Sequence, residues 1–360
     1  MSKSISLNHI TKIEGHAKLA LGIRKNKVVK CELSSVEGSR YFEGLVLGRK
    51  YFEAHEITSR ICGICSCAHV IAAISAVENA MGYEPTEQAK KLRLLITYGE
   101  RIRSHATHIY FLALPDYLGY ESALAMAKKY RKQLQWALNL MKAGNGIIKH
   151  IGGRDLHPVS ATVGGWLKIP TLQALKEIKT QLEAAKEDAE NTCRLFFSLQ
   201  YPEFKSGCEY FSLVDGKSYA TLDGKFTSQN TSFEKWQYRD FVNEYHEPRS
   251  TANFVVKGDH RYMVGALPRL NNNSKMLSNE VSKMLKKSKM KLPSTNPFNN
   301  VMSQAIEIVH FIDDLVHCAA NGQFCALRRP HRLVANRISL AIHSLPKAGC
   351  GEKKQTMPYL

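Results

Sequence analysis

The sequence predicts an α+β protein in which long helices form most of the core and short strands occupy two limited regions. Three observations support this class. The opening residues contain β-rich runs, several later stretches carry apolar residues at helical spacing, and residues 205–270 mix glycine, aspartate and aromatic residues. We therefore expect mainly a long-helix bundle with an N-terminal β-hairpin region and a small additional sheet.

The elements follow from local patterns along the chain. A hairpin is expected at residues 17–23 and 28–34, which flank a polar turn. Helices are expected at 70–81, 89–114, 124–141, 172–199 and 298–316. Their breaks are expected at Gly82, Pro115 and the Gly144-Asn-Gly146 sequence. Residues 271–297 are polar and basic with one apolar stripe, which favours a surface helix over a binding device.

Composition excludes several classes of protein. Hydrophobic residues at 44% and charged residues at 23% are typical of a soluble globular chain and exclude wholesale disorder. A charge of +18 would suit nucleic acid, but the sequence lacks a recognition helix, a finger or an aromatic-studded RNA motif, so no nucleic-acid partner is expected. We expect no membrane span and a cytoplasmic location, since neither an apolar stretch of about 20 residues nor a signal-type start is evident.

The last 46 residues differ in character from the rest. Residues 315–360 carry seven Lys or Arg against one Glu and lack a clear apolar period. We therefore expect one domain over 1–314 and an atypical basic tail over 315–360.

The cysteines indicate metal or redox chemistry. The chain has 9 cysteines, an odd number that argues against a disulfide framework. Three of them, Cys62, Cys65 and Cys67, lie within six residues, directly before a helical pattern and His69. Two sulfurs three residues apart can bind one metal, and a helix N-terminus nearby favours the thiolate form.

Residue chemistry alone leaves the metal open among zinc, an iron–sulfur cluster and nickel with iron. A structural zinc site would need a second ligand pair, and Cys318 and Cys325 lack the required spacing. A thioredoxin-type redox pair would need a βαβ context, which the pattern does not show. Three buried cysteines without a ligand remain the simplest alternative.

These residues resemble a known family. The run Arg60-Ile-Cys62-Gly-Ile-Cys65 followed by Ala-His69 is similar to the N-terminal metal motif of nickel–iron hydrogenase large subunits. Six further segments resemble the family in the same order: Thr11 to His16, Tyr41 to Arg49, Ser104 to Asp116, Gly152 to Pro158, Tyr262 to Asn271 and Ala305 to Asp314. The resemblance covers roughly residues 4–314 and is nearest to the soluble cytoplasmic branch.

The resemblance implies specific roles. Cys62 would be a terminal nickel ligand and Cys65 would bridge nickel and iron. Glu14 would pass protons to and from the nickel-site cysteine, and His69 would hydrogen-bond the bridging sulfur. Glu43 would bind a magnesium ion, whose preference for oxygen suits a carboxylate. Asp116 would line the pocket for the diatomic ligands of the iron, whereas Cys67 would be a small buried side chain.

The resemblance also implies partners and an activity. It implies reversible oxidation of H2 to protons and electrons, and its partner would be an iron–sulfur small subunit. Its cofactors would be a nickel–iron centre with diatomic ligands, magnesium, and iron–sulfur clusters on that partner. The soluble branch further implies flavin or NAD(P)-reducing subunits.

The sequence departs from the family at its end. The second cysteine pair of the family, in an Asp-Pro-Cys-x-x-Cys pattern, and its Ala-Pro-Arg-Gly element have no counterpart here. Two thiolates cannot hold a four-thiolate centre, so the chain alone is expected to be inactive. A truncated or frameshifted gene, a large subunit split over two chains, and a repurposed relative all remain open. Alternative functions are a metal-free hydrogenase-derived scaffold and a zinc- or iron–sulfur-binding interaction protein that uses Cys62, Cys65, Cys67 and His69.

Overall fold

The computed structural model describes residues 2–13, 15–38, 40–256, 261–288 and 290–320. Glu14 and the predicted tail beyond residue 320 therefore lie outside the described residues. Helices dominate, and their bounds are α1 Tyr41–Val46, α2 Ala54–Thr58, α3 Ser66–Ala80, α4 Glu87–Thr107, α5 Leu114–Leu118, α6 Ala123–Met126, α7 Arg131–Gly152, α8 Leu172–Ser198, α9 Tyr238–Phe241, α10 Ala266–Asn273, α11 Asn279–Lys287 and α12 Asn299–Ala320. This architecture confirms the predicted α+β class.

The N-terminal hairpin is confirmed and gains a third strand. The antiparallel order is β1-β2-β3, with bounds β1 Ser2–Leu7, β2 Ala17–Arg24 and β3 Lys27–Ser35. Lys25 and Asn26 form the turn between β2 and β3 with φ of 49° and 59°. Positive φ at both central residues is the geometry that matches the twist of two hairpin strands.

Short strands occupy the region where the sequence predicts a small sheet. The bounds are β4 Ala161–Thr162, β5 Gly165–Trp166, β6 Glu209–Tyr210, β7 Ser212–Val214, β8 Lys225–Thr227, β9 Ser232–Phe233, β10 Asn243–Tyr245, β11 Phe254–Val256 and β12 Tyr262–Met263. The strands β7, β8 and β9 form an antiparallel sheet, and β6 pairs with β12 in parallel. The others form two-stranded pairs, β4 with β5 and β10 with β11.

The predicted break at Pro115 is wrong. Helix α4 continues through a π-helical turn, His108–Ala113, into α5, and the chain leaves the helix at Gly119 with φ of 75°. Pro115 lies in the first turn of α5, where a missing N–H leaves no helical hydrogen bond unmade. The left-handed glycine, not the proline, therefore ends this helix.

The predicted break at Gly144-Asn-Gly146 is also wrong, and so are the predicted bounds of that helix. Residues 124–141 are divided between α6 and α7, and α7 runs on through both glycines to Gly152. A Cβ on Gly144 would lie 2.5 Å from the carbonyl oxygen of Gly99 and 2.9 Å from the backbone nitrogen of Arg103. The glycine is there because the backbones of α4 and α7 approach closely, not because the helix ends.

The remaining helix predictions are confirmed within a few residues. Helix α3 begins four residues earlier than the periodicity indicates, α8 matches 172–199 closely, and α12 extends past residue 316. The basic stretch after residue 271 contains α11, whose Val281 is 1% exposed. The apolar stripe predicted there thus includes a buried residue, as expected for a surface helix.

The chain divides into two compact units, each built from three stretches. One comprises residues 1–45, 105–135 and 190–310, and the other residues 46–104, 136–189 and 311–360. We call them the first and the second unit. The domain boundary predicted at residue 314 stays a prediction.

Candidate metal centre

The two cysteines of the predicted metal motif flank the start of helix α3 in the second unit. Cys62 follows a 3-10 turn, Ser59–Ile61, with extended backbone at φ −150° and ψ 132°. Cys65 is the N-cap residue of α3. Cys62 is buried and Cys65 is half-buried. Residues 62–65, here called the cysteine loop, therefore place both thiols where a turn enters a helix.

His69 lies one turn along α3 from Cys65. Its Nε2 is 3.5 Å from the Cys65 Sγ, as the i,i+4 spacing of a helix allows. Burial lowers the pKa of the His69 imidazole, which favours the neutral ring at neutral pH. A neutral imidazole retains one N–H with which it can donate to a sulfur atom.

Cys67 is fully buried, as the sequence predicts, and differs from the other two cysteines. Burial raises the pKa of the Cys67 thiol far above its usual range, and the nearby Glu100 carboxylate acts in the same direction. A thiol that stays protonated is a poor metal ligand. The described residues contain no group of three His, Cys, Asp or Glu side chains that could hold a metal ion. A zinc site made of Cys62, Cys65, Cys67 and His69 is therefore not assembled.

Two charged residues that the sequence analysis missed hold the backbone around the cysteine loop. The Glu100 carboxylate accepts hydrogen bonds from the backbone N–H of Cys67 at 2.6 Å and of Ala68 at 3.1 Å. The Arg103 guanidinium donates to the carbonyl oxygens of Ile64 and Asp155, each at 2.6 Å. Both side chains are almost completely buried.

A sequence signal for these two residues exists. They follow Leu92 and Ile96 at helical spacing, so they fall on the apolar stripe of α4 rather than on its polar face. Charged residues on an apolar stripe must find buried partners, which is the feature that could have singled them out.

Glu43, the predicted magnesium ligand, lies on α1 in the first unit. Both of its carboxylate oxygens accept hydrogen bonds from Arg40, at 2.8 Å and 2.9 Å. The hydrogen bond from Arg40 lowers the pKa of Glu43, so the carboxylate is charged at neutral pH. The residue type fits a hard cation, but an ion would have to displace the Arg40 guanidinium.

The surroundings of Glu14 are described only in part, because Glu14 itself lies outside the described residues. Two residues before it, Lys12 forms an ion pair with Asp116 within the first unit. The Asp116 side chain is 64% exposed. The structure thus places Asp116 beside Lys12.

Comparisons with known proteins identify the family. The sequence profile of the family described as nickel-dependent hydrogenase matches residues 40–151. The alpha subunit of sulfhydrogenase 1 from Pyrococcus furiosus is 35% identical over 312 residues, which cover 86% of this chain and 73% of the relative. The chain belongs to the nickel-dependent hydrogenase family, among its large subunits.

Further relatives agree with this hydrogenase assignment. A vhu subunit of the F420-non-reducing hydrogenase from Methanocaldococcus jannaschii is 32% identical, with 74% of this chain and 70% of the relative covered. The crystal structure of an NAD+-reducing [NiFe]-hydrogenase in the H2-reduced state shares the fold with a TM-score of 0.80 and 23% identity, over 92% of this chain and 81% of that one. This similarity confirms the predicted hydrogenase large-subunit fold.

The family implies a nickel–iron centre, and the cysteine loop fits part of it. Cys62 and Cys65 supply two soft sulfur donors, one of them within reach of His69, as a thiolate-bound centre requires. The sequence contains a single Cys-x-x-Cys pair, so this loop can account for two of the thiolates and not for four. Among the described residues, no helix is long and apolar enough to cross a membrane.

Proposed function

We propose that this hydrogenase large subunit takes part in the reversible oxidation of H2 to protons and electrons. The observation that carries the proposal is the placement of Cys65 at the N-cap of α3 with its sulfur 3.5 Å from His69. A thiol at a helix N-terminus is favoured as thiolate, and a neighbouring imidazole tunes such a ligand.

Cys62 and Cys65 are the ligands that we assign to the nickel–iron centre. The centre, when bound, supplies Lewis-acid polarisation of H2 and accepts its electrons. The loop contributes two sulfurs from a partly buried position, which limits access of water to them. The remaining ligands would come from residues other than a Cys-x-x-Cys pair of this sequence.

His69 and Glu14 are the residues to which we assign the second role, control of protons at the sulfurs. The neutral imidazole of His69 can donate one hydrogen bond to the Cys65 sulfur and so stabilise its negative charge. Glu14 is the carboxylate that would exchange a proton with the nickel-site cysteine, in line with the family motif around Lys12 and Gly15.

Glu43 is proposed as a magnesium ligand, and the partners follow from the family. Binding of Mg²⁺ would release the Arg40 guanidinium, which now bonds both Glu43 oxygens. The proposed partner is a small subunit that carries iron–sulfur clusters, with flavin or NAD(P)-reducing subunits beyond it, in the cytoplasm. A relative from Archaeoglobus profundus, 30% identical over 202 residues, is named as an iron-sulfur subunit of an F420-non-reducing hydrogenase.

Elemental analysis of the anaerobically purified chain, with whatever partners co-purify, tests the assignment. Nickel together with iron supports the hydrogenase function, absence of metal supports a scaffold, and zinc supports an interaction protein. The variant Cys65→Ser should lose nickel because it removes a proposed ligand. Cys193→Ser is the control, since it makes the same change at a buried cysteine of α8, outside the cysteine loop. Equal nickel in both variants would contradict the ligand assignment.

The variant Glu14→Gln tests the proton role separately. We expect it to retain metal and to lose exchange between H2 and deuterated water, because an amide cannot take up and release the proton. Normal isotope exchange in this variant would refute the relay.

A further inference from the structure

The cysteine loop is held from outside by two buried side chains of α4. Glu100 takes over the capping of α3, because its carboxylate accepts the N–H groups of Cys67 and Ala68 in the first turn. An N-cap side chain commonly accepts such bonds itself. With Glu100 in that role, the Cys65 sulfur is not needed as the cap and can face a ligand.

Arg103 fastens the middle of the cysteine loop. Its Nη2 donates to the carbonyl oxygen of Ile64, the residue directly before Cys65. Its Nη1 donates to the carbonyl oxygen of Asp155 and to the Asn145 Oδ1 of α7, at 2.6 Å and 3.1 Å. One guanidinium therefore joins the loop to a helix and to a second loop, and its planar fork keeps these directions fixed.

The second loop is attached to the same region by another residue. The backbone N–H of His157 donates to the Ser66 Oγ at 3.0 Å, and its Nδ1 lies 2.8 Å from the carbonyl oxygen of Ser59. Ser59 precedes the cysteine loop by one short turn, and Ser66 follows it directly. The backbone on both sides of the two cysteines is thus held by neighbouring segments of the second unit.

Glu100 and Arg103 remain available for these contacts because they pair only loosely with each other. The Arg103 Nη2 is 3.9 Å from the Glu100 Oε2, beyond hydrogen-bond distance. Their opposite charges offset each other's burial, while their hydrogen-bonding groups are directed to the backbone. The hydrogen bonds of Arg103 to the loop use a carbonyl group and no thiol, so they can form whether or not the two sulfurs bind a metal.

We propose that Arg103 and Glu100 are positioning residues that hold the cysteine loop in its metal-binding conformation before the metal arrives. This inference rests on the proposed ligand role of Cys62 and Cys65. It predicts that metal affinity and thiol protection depend on Arg103 more strongly than global stability does.

Alkylation of the reduced, metal-free full chain by iodoacetamide tests the loop directly. In Arg103→Lys, which keeps the charge but loses the fork, we expect Cys62 to react about tenfold faster, because a hydrogen bond from a charged donor to the loop is lost. The matched control is Arg93→Lys on the same helix, since Arg93 is equally buried but bonds Glu78 instead. Rates are followed by peptide mass spectrometry, with urea unfolding measured in parallel.

Cobalt binding provides the second readout. Co²⁺ bound to thiolates gives charge-transfer absorption, so titration reports both affinity and the number of sulfurs bound. In Arg103→Lys we expect affinity to fall by about 10- to 100-fold, as for other residues that orient metal ligands, and the absorption per bound ion to decrease. Arg93→Lys should keep both. Asn145→Ala, which removes one of the Arg103 acceptors, gives a milder variant with a smaller shift in the same direction.

The outcomes separate the two proposals. If Arg93→Lys and Arg103→Lys change alkylation and affinity equally at equal loss of stability, or if neither changes them, the positioning role is wrong. If the unmodified chain binds no Co²⁺ through sulfur, the ligand assignment of Cys62 and Cys65 fails, while the alkylation rates still decide whether Arg103 holds the loop.

Discussion

The second unit contains two buried glutamate–arginine pairs that differ in construction. Arg93 and Glu78 form a closed pair with two hydrogen bonds of 2.7 Å, and the Glu78 carboxylate also accepts the N–H of Gly164. Arg103 and Glu100 form an open pair 3.9 Å apart, and each bonds backbone near the cysteines. The same two residue types thus join two helices in one place and shape a loop in the other.

This contrast teaches that function-bearing charge is recognised by where its hydrogen bonds go. A closed pair satisfies its own charges and acts mainly through stability. An open pair places its donors and acceptors on other groups, so it controls local geometry. Four predictions test this distinction, beginning with the largest expected effect.

Loss of one partner of the closed pair should have the largest effect on stability. Arg93→Met leaves the Glu78 carboxylate buried without its guanidinium, and we expect the free energy of unfolding in urea to fall by about 3–5 kcal/mol. The control Lys179→Met removes a lysine from the exposed pair with Glu183 and should change it by less than about 0.5 kcal/mol. A small effect of Arg93→Met would show that the closed pair is not a stabilising contact.

A methyl group between α4 and α7 should disturb the open pair through the backbone. Gly144→Ala would place a Cβ against the backbone of Gly99 and Arg103, which cannot yield as a side chain would. We expect a loss of about 1–3 kcal/mol in the free energy of unfolding, together with faster alkylation of Cys62.

Gly146→Ala, in the same helix, is the matched control for that change. Its Cβ would meet the end of the flexible Gln181 side chain, and alanine favours a helix over glycine by about 1 kcal/mol. We expect this variant to be at least as stable as the unmodified chain. Equal destabilisation by both alanines would contradict the close approach of α4 and α7.

Glu100→Gln should reveal the open pair through its pH dependence. Burial raises the pKa of Glu100, while the Cys67 N–H and the charges of Arg103 and Arg101 oppose this shift. A carboxyl whose folded pKa is raised contributes stability below its unfolded pKa, and that contribution is lost as pH rises through the folded pKa. The stability of the unmodified chain relative to Glu100→Gln should therefore fall from acid to neutral pH, by about 1 kcal/mol or more.

Glu307 in the first unit provides the opposite case. Its burial would raise the pKa, but Arg269 and His105 hold the pKa of Glu307 well below its usual range. The contribution of Glu307 is present above its unfolded pKa and is lost as pH falls through the folded pKa. Relative to Glu307→Gln, the unmodified chain should gain stability as pH rises. Urea unfolding across the acid to neutral range compares both variants, and slopes of equal sign would contradict the prediction.

The smallest effect is expected at the exposed Arg40–Glu43 pair. Arg40→Gln removes a contact whose two side chains are 44% and 35% exposed, so the free energy of unfolding should change by less than about 0.5 kcal/mol. The pKa of Glu43 should rise, because the hydrogen bond from Arg40 lowers it now. Titration of the Glu43 carboxyl by NMR measures this, and an unchanged pKa would contradict the pairing.

Much of the fold and one half of the candidate site were predictable from local pattern. The hairpin at β2 and β3, the long helix α8 and the cysteine motif before α3 all depend on residues close in sequence. Periodicity, turn residues and ligand spacing are local signals, and local signals are what a sequence displays directly. The family assignment follows from the same motifs.

The rest was decided by contacts between distant segments. The glycines of α7 are typical of a helix break, yet they serve a close approach to α4, and Pro115 lies where a helix tolerates it. Glu100 lies 33 residues from Cys67, and Arg103 lies 39 residues from Ile64. The sequence by itself determined which residues could bind a metal. The tertiary structure alone decided what orients them, because a buried charge takes its role from the partners that folding places beside it.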